Sequence, residues 1–136
     1  MNIEALKVDL LRDEGCKLKP YLDTVDKLTI GVGRNLSDNG ITMAEASALL
    51  ENDITSVIVE LDRCLPWWRA LPELKGRALA NMAFNLGLPR LLKFSQMLTA
   101  LECGEWDMAA DEALDSNWAK QVGERAERIA IAFRSA

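Results

Sequence analysis

Apolar residues in the first fourteen positions recur with the spacing of an amphipathic helix. Ile3, Leu6 and Leu10 follow the i, i+3, i+4 pattern, so the sequence predicts a helix over about 2–14 with this face toward the core. Glu14 is the next position on the same face, and Gly15 is typical of the residue that ends a helix. The pattern therefore predicts a carboxylic acid at a helix C-terminus, where both the macrodipole and burial disfavour its ionised form.

The chain changes character between residues 16 and 36. Short runs of β-branched residues separated by Gly and Pro, such as the Thr-Ile-Gly-Val-Gly stretch at 29–33, predict small strands in a hairpin-rich sheet. A turn is expected at 37–40. No other part of the sequence has this β-like pattern.

The remaining sequence is helical in pattern. Thr42 and Glu45 predict a capping box, followed by a long helix to about Arg63 in which apolar residues keep a 3.6-residue period. Further helices are expected from Pro72-Glu73 to about 86, from Ser95 to 104, over 105–114, and after Gly123. The last helix should bury Ala126, Ile129, Ala130 and Phe133, and residues 116 and 118 are expected in a connector.

This order of elements predicts an α+β fold with a small β-hairpin lobe, a larger helical lobe and a long helix joining them. One domain is expected over 1–136. Its β-rich lobe covers about 15–45, and its helical lobe covers about 62–136 together with the N-terminal helix 2–14. A cleft between the lobes is the expected ligand site.

The composition excludes several kinds of catalytic and metal site. The chain has no His and a net charge of −5, which excludes His-based zinc sites and Ser-His or Cys-His catalysis, and argues against nucleic acid as a partner. Its three cysteines, Cys16, Cys64 and Cys103, are widely spaced and are expected to be reduced and structural. The sequence shows no signal peptide or long apolar run, so synthesis in the cytoplasm is expected.

Two carboxylates provide the candidate chemistry. An acid at a helix end and a second, ionised carboxylate on a nearby hairpin are the groups that glycosidic bond hydrolysis requires. Glu14 fits the first role and Asp23 the second. Six residues further on, Thr29 could be brought by a hairpin beside Asp23, where the two could hold one water. The alternative is that Glu14 is simply solvated and Asp23 is a turn residue.

The arrangement of these residues resembles the N-terminal signature of the phage-type lysozymes, glycoside hydrolase family 24. The signature comprises Glu14-Gly15, then Asp23-Thr24, then the Thr-Ile-Gly-Val-Gly run. Later stretches resemble the same family in the same order, so the resemblance covers nearly the whole chain. They are Asn39-Gly40-Ile41-Thr42 with Glu45-Ala46, the run 81–87, Phe94, the run 106–110, Trp118 and the run 125–128.

The resemblance implies a muramidase that cuts the β-1,4 bond between N-acetylmuramic acid and N-acetylglucosamine in peptidoglycan. Glu14 would be the general acid, Asp23 the carboxylate that activates water, and Thr29 its hydroxyl helper, with inversion of configuration. It also implies an endolysin without metal or cofactor, acting as a monomer. Such an enzyme stays in the host bacterial cytoplasm until a separate holin-like permeabiliser releases it to the wall.

Five further residues are candidates for substrate binding or support. Arg34, where the family usually has His, and Asn35 follow the Gly-x-Gly loop. Phe84 matches a cleft-facing aromatic of the family, and Asn85 lies beside it, where its amide could bind an N-acetyl group. Arg125 matches the arginine that pairs with the catalytic Glu. Alternatives remain open: Phe84 could be a core residue, and Arg125 could pair with Glu124 or Glu127. The adjacent Trp67 and Trp68 suit packing better than sugar stacking.

Two other functions fit the sequence less well. The chain could be a peptidoglycan-binding or interaction module without turnover, although such a module would have no need for a partly buried acid. It could also be the same type of enzyme acting on chitin-like or chitosan polymers.

Overall fold

The computed structural model describes residues 1–135, and the chain divides into two compact units, Met1–Ala48 and Leu49–Ala136. Each unit is described separately below. The single domain predicted over 1–136 stays a prediction. The predicted α+β class is confirmed, because one small antiparallel sheet accompanies a large set of helices.

The amino-terminal unit begins with helix α1, Ile3–Glu14. Asn2 caps its start, since its side chain accepts from the Ala5 N–H at 2.9 Å, and Gly15 ends it with a φ of 72°. The predicted helix is therefore confirmed. The prediction that its apolar face is buried is wrong, because Ile3, Leu6 and Leu10 are 55%, 38% and 43% exposed. A helical period identifies the apolar face of a helix without specifying what covers it.

A three-stranded antiparallel sheet follows, with strands β1 (Lys17–Leu22), β2 (Leu28–Gly31) and β3 (Arg34–Asn35) in that order. Tyr21 pairs with Thr29 across the first hairpin, and Ile30 pairs with Arg34 across the second. The hairpin-rich sheet predicted over 16–36 is confirmed.

Helix α2, Leu36–Asn39, occupies the segment where a turn was predicted. Asn35 caps it by accepting from the Asp38 N–H at 2.9 Å, and Gly40 ends it after one turn of helix. The prediction of a turn is thus corrected. A single helical turn is too short to show a periodic apolar pattern.

Helix α3, Met43–Cys64, starts with the predicted capping box. The Thr42 hydroxyl accepts from the Glu45 N–H at 3.1 Å, and the Glu45 carboxylate accepts from the Thr42 N–H at 2.8 Å. Of the residues in the predicted apolar period, Leu61 is fully buried and Val57 is half-buried, while Leu50 and Ile54 are exposed.

The carboxy-terminal unit consists of short-looped helices that share one apolar core. After a 3₁₀ turn at Trp68–Ala70 come α4 (Glu73–Leu86), α5 (Leu88–Leu91), α6 (Ser95–Cys103), α7 (Trp106–Leu114), α8 (Asn117–Val122) and α9 (Glu124–Arg134). The largest fully buried side chains are Phe133, Leu61, Leu79, Met82, Leu91, Met97 and Leu101. The buried face predicted for the last helix is confirmed.

One prediction for this unit is wrong, and one short helix was not predicted. Residues 116 and 118 were expected in a connector, but Ser116 caps α8 by accepting from the Ala119 N–H at 3.1 Å, and Trp118 lies within that helix. Helix α5 was not predicted at all, because it has four residues. Within residues 1–135, no helix is long and apolar enough to cross a membrane.

Candidate active site

Glu14 is the last residue of α1, and its carboxyl lies against the loop between β2 and β3. The side chain is exposed, so the burial predicted for it is wrong. Its Oε2 would lie 2.8 Å from a Cβ placed on Gly33, which is too close unless the flexible end of the Glu14 side chain moves aside. The carboxyl of Glu14 is therefore positioned directly over the Gly33 backbone.

Gly33 meets two requirements at once. Its φ of +66° lies in the left-handed region that L side chains avoid, and Glu14 occupies the space where a side chain would begin. Gly31, the last residue of β2, has a φ of +67° but no atom within 4 Å of its missing Cβ. Gly31 is therefore needed only for its backbone conformation, whereas Gly33 is needed for its conformation and for the space that Glu14 occupies.

Asp23 follows β1, and one of its carboxylate oxygens is held by the hairpin loop. Oδ1 accepts from the Val25 N–H at 2.9 Å and from the Lys27 N–H at 2.8 Å. Within residues 1–48 no donor reaches Oδ2. The carboxylate is therefore fixed in orientation with one oxygen available to a ligand.

Thr29 lies on β2 and is 4% exposed. Its hydroxyl donates to the Lys27 carbonyl at 2.9 Å. The Asp23 N–H donates to the same carbonyl at 3.0 Å, which continues the register of the Tyr21–Thr29 pair. Asp23 and Thr29 are then diagonal neighbours on one face of the hairpin. Residues in this relation are about 7–8 Å apart.

The hydrogen bond from Thr29 determines what its hydroxyl can offer a ligand. Its proton is committed to the Lys27 carbonyl, so toward a ligand the Thr29 oxygen is an acceptor. The free oxygen of Asp23 is an acceptor as well. Asp23 and Thr29 therefore each have acceptor capacity and no free donor.

Arg34 is bound within the amino-terminal unit. Its guanidinium donates to the Glu45 carboxylate at 2.8 Å and to the Gly40 carbonyl at 3.2 Å, which connects β3 to the start of α3. This hydrogen bond is the main reason that the pKa of Glu45 falls from its ordinary value to about 2, and the Thr42 N–H adds to the effect.

Asn35 is bound locally too. It caps α2 and donates to the Asp38 carboxylate at 2.9 Å. The Lys27 ammonium donates to the same carboxylate at 3.1 Å and is the main cause of the lowered pKa of Asp38. A role in substrate binding for Arg34 and Asn35 stays a prediction, and both side chains already have protein partners.

In the carboxy-terminal unit, Phe84 and Asn85 are adjacent on α4, and both are exposed. Phe84 is 41% exposed and lines a groove of about 540 Å³ together with Asn81 and Arg125. It is therefore not an ordinary core residue. The side-chain carbonyl of Asn85 accepts from the Trp118 indole N–H at 2.8 Å. The side-chain NH₂ of Asn85 is then left to face a ligand.

Arg125, in the first turn of α9, is held by α4. Its Nε donates to the Asn81 side-chain carbonyl at 2.9 Å. Glu124 is instead 3.8 Å from Arg128. The alternative of a pair between Arg125 and Glu124 or Glu127 is not seen among the described residues. The supporting role of Arg125 stays a prediction.

The tryptophans and cysteines have structural surroundings. Trp68 and Trp118 are 8% and 3% exposed and belong to the core, and Trp67 packs against it, as the packing interpretation expected. The cysteines are free thiols. Across residues 1–135 no group of three or more acidic, Cys or His side chains is arranged to hold a metal ion.

Four contacts of the candidate residues were not recognised in the sequence. The Lys27 main chain binds both Asp23 and Thr29, Gly33 makes room for Glu14, Asn81 holds Arg125, and Trp118 orients Asn85. Gly33 had a visible signal as the second glycine of a Gly-x-Gly loop, and Asn81 and Trp118 lay in stretches that resembled the family. The contacts themselves were not predictable, because the fold creates them between distant residues or main-chain atoms.

Comparison with known proteins gives one family and several relatives. Residues 12–132 match the family model described as phage lysozyme. The chain is 35% identical to the pre-baseplate central spike protein Gp5 of Enterobacteria phage T4 over 90% of its length, and it spans 26% of that protein. It is 27% identical to probable T4-type lysozyme 2 of Dictyostelium discoideum, covering 98% of this chain and 95% of that protein. Probable T4-type lysozyme 1 of the same organism is 28% identical.

Proposed function

Because the chain belongs to the phage lysozyme family, and is therefore a glycoside hydrolase, we propose that it is an endolysin-type muramidase. Its substrate would be the β-1,4 bond between N-acetylmuramic acid and N-acetylglucosamine in peptidoglycan. The observation that carries the proposal is the polar arrangement of the amino-terminal unit. There Glu14 lies over Gly33, and the hairpin holds Asp23 and Thr29 with free acceptors.

Glu14 is the general acid of this proposal. It gives its proton to the glycosidic oxygen as the bond from that oxygen to the anomeric carbon breaks, so the leaving sugar departs as an alcohol. The carboxyl lies over the Gly33 backbone, beside the loop that follows β2. A positioned acid of this kind contributes about 10²–10⁴-fold to the rate.

Asp23 and Thr29 prepare the attacking water. One O–H of the water binds the free oxygen of Asp23 and the other binds the Thr29 oxygen, which directs a lone pair toward the anomeric carbon. As the new C–O bond forms, Asp23 takes the proton of the water. Attack by water opposite the leaving group inverts the configuration, and inverting enzymes place their carboxyl groups about 6.5–9.5 Å apart.

Substrate contacts would come from exposed groups with free hydrogen-bonding capacity. Phe84 offers an aromatic face, and Asn85 offers its amide NH₂ to an acceptor such as the carbonyl of an N-acetyl group. Arg125 would support the catalytic glutamate, with Asn81 holding one edge of its guanidinium. Arg34 and Asn35 would act mainly by keeping the loop after Gly33 in place.

In the cell, the proposed endolysin needs neither metal nor cofactor and acts as a monomer. It would be made in the cytoplasm of the host bacterium. A separate holin-like permeabiliser of the membrane would then give it access to peptidoglycan.

A second candidate role is that of a lysozyme module associated with a phage particle. The similarity to the central spike protein, 35% identity over 90% of this chain, favours it. Fractionation of a phage lysate distinguishes the two roles. An endolysin stays in the soluble fraction, whereas a particle-associated module sediments with the particles.

The direct test of the activity is Glu14→Gln, with Glu4→Gln on the same helix as its control. Glu14→Gln should abolish clearing of permeabilised cells while its circular dichroism stays unchanged, and Glu4→Gln should clear them as the wild type does. Wild-type activity in Glu14→Gln would overturn the mechanism.

Product analysis separates the remaining alternatives. A muramidase releases reducing ends from peptidoglycan, whereas a binding module co-sediments with peptidoglycan without releasing any. Faster release from chitin or chitosan than from peptidoglycan would instead assign the enzyme to those polymers.

A further inference from the structure

Asp26, in the loop between β1 and β2, has a φ of +61° and is the one residue other than glycine with a positive φ in the described part of the chain. Apart from Asn and Asp, L residues rarely adopt this left-handed conformation.

The conformation of Asp26 belongs to a tight hairpin loop. The Asp26 N–H donates to the Asp23 carbonyl at 3.1 Å, and the Asp23 N–H donates to the Lys27 carbonyl at 3.0 Å. A turn followed by one left-handed residue is the usual form of a three-residue hairpin loop. The left-handed residue reverses the chain just before Lys27, which sets the direction of the Lys27 N–H and carbonyl.

Lys27 uses both of its main-chain groups on the proposed site. Its N–H donates to Oδ1 of Asp23 at 2.8 Å, and its carbonyl accepts from the Thr29 hydroxyl at 2.9 Å. A single residue thus fixes the orientation of the carboxylate and removes the donor capacity of the hydroxyl. If Lys27 were rotated, Asp23 would lose one of its two anchors and the Thr29 proton would be free.

We infer that Asp26 is a positioning residue of the hydrolase: its left-handed backbone aims the Lys27 main chain so that Asp23 and Thr29 both present acceptors to one water. The inference rests on the proposed function, in which these two residues hold the attacking water. It extends that function by assigning the geometry of the water site to a residue that does not contact the water.

The backbone of Asp26, and not its carboxylate, carries this role. Within residues 1–48 the Asp26 side chain makes no hydrogen bond or ion pair, and it is exposed. Glycine adopts the same φ without steric cost, so it should replace Asp26 without loss. A β-branched residue is the least compatible with that φ and should displace Lys27.

The test compares Asp26→Val with Asp26→Gly, and uses Thr24→Val in the same loop as the matched control. Asp26→Val should lower kcat on soluble peptidoglycan fragments by about 10²-fold, the effect of an active-site displacement near 1 Å, with KM within about twofold of wild type. Asp26→Gly and Thr24→Val should keep wild-type kcat. If Asp26→Val does not fold by circular dichroism, Asp26→Ala takes its place.

A second readout does not depend on turnover. In NMR titrations the amide protons of Val25 and Lys27 should both follow ionisation of the Asp23 carboxyl, and Asp23→Asn should abolish both responses. Asp26→Val should lose the response at Lys27, whereas Asp26→Gly and Thr24→Val should retain it.

The two readouts separate the inference from the proposed function. A wild-type protein that hydrolyses no peptidoglycan refutes the function, and the Lys27 amide then decides on its own whether Asp26 sets this geometry. An unchanged Lys27 response in Asp26→Val overturns the inference. An equal loss of kcat in Asp26→Gly and Asp26→Val overturns it too.

Discussion

The two units of the chain are stabilised in different ways. Among residues 1–48, all of which the structure describes, Thr29 is the one buried residue, whereas the buried apolar cluster extends from Leu61 to Phe133 in the carboxy-terminal unit. The first unit depends on directional contacts such as the Thr42–Glu45 capping box and the bonds to Lys27.

This contrast separates stability from activity. A hydrogen bond contributes about 0.5–1.5 kcal/mol, whereas burial of one large apolar side chain contributes about 1.5–3 kcal/mol. Substitutions in the carboxy-terminal core should therefore mainly lower the free energy of unfolding. Substitutions in the amino-terminal network should mainly change the orientation of the proposed catalytic groups.

The largest effect on stability is expected for Phe133→Ala. Phe133 is fully buried on α9, so the substitution leaves a cavity and should lower the free energy of unfolding by about 3–5 kcal/mol. Ile131→Ala on the same helix is the control, since Ile131 is 64% exposed. Urea denaturation measures both, and a loss below about 1 kcal/mol for Phe133→Ala would contradict the assigned core.

Gly33→Ala tests the amino-terminal unit, where a substitution should mainly affect activity. Gly33 and Gly31 have nearly the same positive φ, so Ala at either position should cost about 1–2 kcal/mol of stability. Ala at 33 alone meets the Glu14 carboxyl, and it should lower kcat by about 10²-fold by displacing the acid. Turbidity and reducing-end assays compare the two variants. Equal activity in both would show that the position of Glu14 does not depend on Gly33.

Lys75→Met tests a polar contact inside the apolar unit. The Lys75 side chain is 2% exposed, donates to the carbonyls of Ala132 and Ser135, and lies 4.8 Å from the Trp106 ring centre. Met fills a similar volume without these contacts and should lower the free energy of unfolding by about 1–3 kcal/mol. Lys120→Met, on the surface of α8, should change it little. Thermal unfolding measures both variants. An equal change in stability for Lys75→Met and Lys120→Met would show that the contacts of Lys75 do not stabilise the fold.

The smallest expected effect is a pH-dependent contribution of Glu45 to the stability of the fold. Its folded-state pKa of about 2 lies below its ordinary value of 4.5, so its contribution to stability is complete above pH 4.5 and is lost as the pH falls toward 2. The Tm difference between wild type and Glu45→Gln should therefore shrink over that interval. Glu51→Gln, exposed on the same helix, should show no such trend. A difference independent of pH would place the effect of Glu45 outside its ion pair with Arg34.

Local signals in the sequence predicted much of the fold. The Thr42–Glu45 capping box and the glycines at 15, 87 and 104 define helix ends through contacts within a few residues, so the sequence contains all the information needed. Helix α8 was missed because six residues show no period, although Ser116 is a standard cap.

The candidate site was predictable in its residue types but not in its contacts. Glu14, Asp23 and Thr29 stand out by motif and spacing, whereas the role of Lys27 lies in main-chain atoms that any residue possesses. The bond between Asn85 and Trp118 joins positions 33 residues apart, and only the fold brings them together. The exposed face of α1 shows the converse limit, because periodicity predicted its apolar side correctly and its burial wrongly.

Because the Lys75 amine is buried beneath the end of α9, chemical labelling of this amine can report on when that end of the helix opens. An acylating reagent reaches the surface lysines at once, but it reaches this amine only after the last turn of α9 has separated from it. Mass spectrometry of the peptide containing position 75 therefore times that local opening in the unsubstituted protein. Such a measurement needs no fluorophore or isotope label.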